Sequence, residues 1–73
     1  MFQFDREKIL PIFLQRREPV YHLARRAGVG EKTAWKAING KRIGAPVVAR
    51  IAEALDVDPM AFLVDDREDE SAD

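Results

Sequence analysis

Apolar residues recur along this chain at helical spacing, and no stretch alternates apolar with polar for long enough to read as a strand. The central stretch is VYHLARRAGVGEKTAWKAINGKR, residues 20–42. Within it Val20, Leu23, Ala24 and Ala27 fall at i, i+3, i+4 and i+7, one face of an α-helix. Gly28 follows at once. A helix that stops and turns sharply takes a left-handed residue just past its end, and glycine does so without a Cβ clash. Val29 is then a lone apolar residue in a short turn, placed to plug the angle between two helices. A second helix is expected over about 31–38, closed by Asn39-Gly40. At about 100° per residue, Thr33, Ala34, Ala37 and Ile38 gather on one side of it. Glu31, Lys32, Trp35, Lys36 and Asn39 gather on the other. The inward side is mostly small, so the backbone can pack closely. The outward side carries long hydrogen-bond donors and an aromatic ring, a face suited to the major groove of DNA.

The flanking segments predict three more helices. Asp5 is a suitable N-cap, and Ile9, Leu10, Phe13 and Leu14 give a broad apolar face to a first helix over about 6–16. Pro11 leaves two readings open. Its missing N–H breaks a ladder bond and kinks that helix, or the helix begins near Pro11 as its first residue. Glu18-Pro19 closes the segment, because a residue before proline avoids the α region. Residues 1–4 are too few for an element, and Phe2 and Phe4 either pack back on the body or stay exposed. After the basic loop Lys41-Arg42-Ile43-Gly44, Pro46 fits the first turn of a helix over about 45–55. Val47, Val48, Ile51, Ala54 and Leu55 line one side of it. Asp58-Pro59 supplies a capping carboxylate and a first-position proline for a short fifth helix carrying Met60, Phe62, Leu63 and Val64. The expected fold is all-α, five short helices in one domain over residues 1–64. Residues 65–73, DDREDESAD, are too charged to pack and are expected to form a disordered acidic tail.

Charge sharpens this division. The whole chain carries −1, but residues 1–64 hold 11 Lys+Arg against 7 Asp+Glu, or +4, and residues 65–73 hold one Arg against six acids, or −5. Within residues 20–42 six basic residues face one acid, or +5. A basic patch on a compact body, with a separate acidic end, is what the chain offers a partner.

Composition removes several classes. A chain of 73 residues makes one domain with a core small enough to gain from a partner subunit. The absence of cysteine excludes disulfides and thiolate metal sites and is compatible with a reducing cytoplasm, the expected location. One histidine makes no zinc site without carboxylate help. No apolar run approaches the roughly 18 residues of a membrane span. Asp5 and Glu7 interrupt the N-terminal apolar stretch, which has no small-residue cleavage site, and this argues against a secretory signal. Gly28-Val29-Gly30 follows no strand and is no phosphate-binding loop. No serine, cysteine or histidine constellation offers a nucleophile with its base. Neither an enzyme nor a cofactor is expected.

Residues 20–42 resemble the helix-turn-helix of phage-repressor-like (Cro/C1-type) regulators. The matching features are Ala24, Gly28, Val29, Thr33, Ile38 and the closing Asn39-Gly40-Lys41-Arg42. The run Arg50 to Pro59, followed by Phe62-Leu63, is similar to the family's fourth and fifth helices, and the likeness covers roughly residues 6–64. The central stretch alone also resembles the headpiece of lactose-repressor-type regulators; the helix before it and the two after favour the phage-repressor type. Val20 stands where the family often has a phosphate-contacting glutamine, and Gly30 where it usually has a capping serine. Ala34 stands where an aliphatic residue is frequent.

The resemblance implies a sequence-specific double-stranded DNA-binding transcriptional regulator, most simply a repressor, with no small-molecule effector domain. Base-edge contacts would fall to Glu31, Lys32, Trp35 and Lys36. Phosphate contacts would fall to Tyr21, Asn39, Lys41 and Arg42. The apolar surplus of the fifth helix, Met60, Phe62 and Val64, is a candidate homodimer surface. Each role has a plainer rival. Lys32 and Lys36 read guanine or are simply solvated. Glu31 accepts from cytosine or favours the helix N-terminus. Trp35 presses on a thymine methyl or covers the core edge. Asn39 binds phosphate or only ends the helix. Arg25 and Arg26 reach a backbone phosphate or, the plainer expectation on a surface helix, are solvated, and His22 is expected to lie on the surface. The rival function is a protein-interaction module, such as an antitoxin or anti-repressor, on the same fold.

Overall fold

Five helices follow one another in the expected order: α1 (Arg6–Gln15), α2 (Val20–Ala27), α3 (Glu31–Ile38), α4 (Ala45–Leu55) and α5 (Pro59–Phe62). The computed structural model describes residues 1–64. The acidic tail expected over 65–73 lies outside the described residues. Among the described residues there is no strand longer than an isolated bridge, and no helix is long and apolar enough to cross a membrane.

α1 begins at Arg6 because the Asp5 carboxylate accepts from the Glu7 N–H at 3.0 Å, satisfying one donor the helix cannot pair itself. That disposes of a start at Pro11. The proline sits inside the helix on its exposed side, where water can solvate the carbonyl its ring leaves without a partner. The core is built from Phe4, Ile9, Leu23, Ala34, Ala37, Ile38 and Ile51, all fully buried, with Leu55 and Ala52 beside them. α2 packs on α3 and α4, and α3 also meets α1.

α2, α3 and α4 end in the same two-bond cap. After α2, Val29 N–H donates to Ala24 O at 3.0 Å and Gly28 N–H to Arg25 O at 3.2 Å. After α3, Lys41 N–H donates to Lys36 O at 2.9 Å and Gly40 N–H to Ala37 O at 3.3 Å. After α4, Val57 N–H donates to Ala52 O and Asp56 N–H to Glu53 O. Each cap needs one left-handed residue. Gly28 at φ +73° and Gly40 at φ +74° are the two glycines the sequence marks for this, but Asp56 at φ +57° does the same work after α4. Aspartate tolerates this region better than most residues with a Cβ.

Residues 1–4 form no element, but they are paired in place, and of the two readings left open Phe4 packs back while Phe2 is 42% exposed. Phe2 N–H donates to Ile43 O, and Ile43 N–H to Phe2 O, both at 2.8 Å. On the opposite edge Asp5 N–H donates to Phe62 O at 2.7 Å, and Val64 N–H to Gln3 O at 2.8 Å. The N-terminal segment thus runs between the loop after α3 and the chain after α5, and Phe4 reaches 0% exposure beneath it. The fifth helix is shorter than expected. It stops at Phe62, and Leu63 turns extended (φ −86°, ψ 148°) to bridge Phe4. Leu63 N–H still donates to Pro59 O at 3.0 Å, but the Phe62 carbonyl and the Val64 N–H pair with Asp5 and Gln3 rather than continuing the helix.

Candidate functional site

α3 is held by its inner side. Ala34, Ala37 and Ile38 are fully buried and Thr33 is half-buried. A methyl is all that Ala34 and Ala37 place between the α3 backbone and its neighbours, so the helix is seated tightly with little room to roll. Glu31, Lys32, Trp35 and Lys36 all stand in solvent. Trp35 is 51% exposed, far more than a ring that merely sealed the core would be. Indole is a large apolar surface to leave in water without use. Among the described residues, no carboxylate lies within ion-pair range of Lys32, Lys36, Lys41 or Arg42.

Gly30, which has no side chain to cap with, precedes α3. Its place leaves the first-turn N–H groups open, with Glu31 beside them as the complementary charge. At the other end the Asn39 amide donates to Trp35 O at 2.9 Å. Asn39 is therefore half-buried and engaged in ending its own helix, while Gly40 makes the left-handed turn. Lys41 and Arg42 follow, both exposed. On α2, Tyr21 is 57% exposed.

The other arginines separate by partner. Arg25 is exposed and in no ion pair among the described residues. Arg26, expected to be solvated, is a clamp. Its Nε and Nη2 donate to the two Glu18 carboxylate oxygens at 3.2 and 3.0 Å, and its Nη1 donates to Ala54 O at 2.8 Å. Glu18 also lies 3.6 Å from His22 Nδ1. Arg50, on α4, donates from Nη1 to Gly28 O at 3.0 Å, closing the C-terminal end of α2. These two side chains tie the α2 region to α4. Arg26→Ala should lower stability by about 1 kcal/mol, after discounting for the partly exposed pair, while Arg25→Ala should change it by less than about 0.5 kcal/mol. Thermal unfolding of the two variants checks this.

One feature is missed by reading the sequence. Met1, Thr33, Lys36, Arg42, Ile43, Gly44 and Val47 line an open depression of about 220 Å³. It brings two cations and a hydroxyl-bearing side chain to the start of α4, whose N-cap Gly44 offers no side-chain cap. Pro46 has no N–H and the Val47 and Val48 N–H groups both donate to Gly44 O at 3.1 Å, so it is the two cations that would favour an anion there. The signal lies in the sequence as Gly44 placed just after Lys41-Arg42, but nothing in it says that Lys36 reaches the same spot.

A second surface is apolar. Phe2, Ala45, Val48, Ala49, Pro59, Met60 and Leu63 line a groove of about 220 Å³. Met60, 82% exposed, stands on its rim. Of the three residues proposed for pairing subunits, Met60 and Val64 are exposed and Phe62 is half-buried against the core. Among the described residues no cluster of His, Asp or Glu could hold a metal ion. The chain matches no protein-family model, no curated protein and no solved structure.

Proposed function

We propose that this protein is a helix-turn-helix, sequence-specific binder of double-stranded DNA, acting as a small transcriptional regulator. The observation that carries the reading is the exposed row Lys32, Trp35 and Lys36 on a helix whose opposite side is fully buried. Cationic donors and an aromatic face are thereby held at fixed positions, as groove readout requires. In this reading α3 enters the major groove, with Glu31, Lys32, Trp35 and Lys36 toward base edges. Lys41, Arg42 and Tyr21 hold phosphates, and Asn39, already bonded to Trp35 O, contributes less. The depression at the start of α4 suits a phosphate oxygen on Arg42, with Lys36 on its rim left to the base edges. About five phosphate contacts give a slope of log K against log salt near −4 to −5.

A homodimer fits the same reading. Met60, Val64 and the half-buried Phe62 pair two copies, and the two α3 helices then address half-sites about 34 Å apart. Selection from a random duplex library tests binding, half-site symmetry and spacing together; a chain that enriches no sequence would defeat the proposal. Lys36→Ala should relax the selected sequence at one base pair of each half-site. An unchanged consensus would remove Lys36 from base readout.

The apolar groove beside Met60 favours a second reading, a protein-interaction module on the same body. Copurification from native cells with and without nuclease separates the two. A protein partner that survives nuclease treatment supports the module.

A further inference from the structure

We propose that residues 2–5 are a positioning strap that sets the stance of Lys41 and Arg42 and fastens their loop to the end of α5. This rests on the DNA-binding reading above. Lys41 is bonded to α3 through its N–H on Lys36 O, and Ile43 is paired on both sides with Phe2. Arg42 lies between these two anchors. Gln3 adds a third hold: its Nε2 donates to Gly40 O at 2.9 Å, while its own main-chain carbonyl accepts from Val64 N–H at 2.8 Å. One residue therefore touches both the turn that launches the basic loop and the chain that leaves α5.

The contact is close as well as bonded. A Cβ on Gly40 would sit 3.2 Å from Phe4 O and 3.2 Å from Arg6 Cβ, on a backbone already at φ +74°. No side chain keeps the strap at a distance there. Below it Phe4 is fully buried, which fixes the strap's depth. Lysine and arginine side chains are long and rotamer-rich, so the phosphate they reach depends on where their backbone is held. A loop already held in place loses less freedom on binding. None of residues 2–5 need touch the duplex for this to matter.

Gln3→Ala and the similarly sized, donor-free Gln3→Met, each in the full chain, test the strap with two readouts. Amide hydrogen exchange should quicken at Ile43 by about 2- to 10-fold, the worth of one hydrogen bond, with the amides of α2 and α3 unchanged. Affinity for duplex should fall by about 3- to 10-fold in both variants and by the same factor for every sequence, the mark of altered phosphate contacts rather than base contacts. Ile43 exchange at the parent rate would overturn the proposal. So would quickening spread evenly over α1 to α4, or undiminished affinity in both variants of a parent chain that binds. A parent chain that binds no duplex would instead defeat the DNA-binding reading, and the positioning role with it.

Discussion

Alanine in place of Phe4 is expected to remove about 3–5 kcal/mol of stability. The phenyl ring is entirely enclosed, at 0% exposure, so its loss leaves a cavity that close-packed neighbours fill only in part. A domain this small has only about 3–5 kcal/mol to lose. A large share of Phe4→Ala molecules, on the order of half, should therefore be unfolded at room temperature, and urea titration followed by far-ultraviolet circular dichroism reads this directly. Phe2→Ala is the internal control. Phe2 is 42% exposed on the rim of the apolar groove, and its truncation should cost less than about 1.5 kcal/mol. If the two variants unfolded alike, the asymmetry between the two phenylalanines would be refuted.

Removing Lys41 and Arg42 together is expected to weaken duplex binding by roughly 10- to 100-fold at moderate salt and to make the salt slope shallower by about 2 for each bound copy. Both side chains are exposed and lie just beyond the capped end of α3, so the double alanine variant should fold normally. The effect should be the same for every duplex tested, because phosphates carry no base identity. Filter binding across a range of salt concentrations gives both quantities. An unchanged slope would take Lys41 and Arg42 out of the phosphate contacts. Loss confined to one sequence would move them to base readout.

What could be read in the sequence follows from how local the determining forces are. α2, the turn at Gly28, α3 and its stop at Asn39-Gly40 depend on periodicity and on glycine's left-handed freedom, and all appear where expected. α4 and the Asp58-capped start of α5 are equally local; the carboxylate accepts from Met60 N–H at 3.0 Å. The exposure of Glu31, Lys32, Trp35 and Lys36 follows from the same helical spacing. The N-terminal segment was illegible because its order comes from Ile43, Phe62 and Val64, far along the chain. Leu63 and Val64 left the helix for the same reason. Arg26 deceived for a related one. On α2 it is an exposed cation, and only the return of α4 brings Ala54 O within 2.8 Å of it. Asp56 escaped notice because the left-handed turn after α4 uses a residue other than glycine.

The pairing of residues 2–5 with Ile43 and with Phe62 to Val64 also bears on how the chain is made. Residues 2–5 meet their last partners only when almost the whole described chain has been synthesised. α1 to α4 can dock on short-range contacts, which form quickly, whereas closing a loop of this length is a late event. Until then the edge of the N-terminal segment that pairs with Phe62 and Val64 has no neighbour. A nascent chain stalled before Phe62 would thus leave one edge of residues 3–5 unpaired and open to wrong partners.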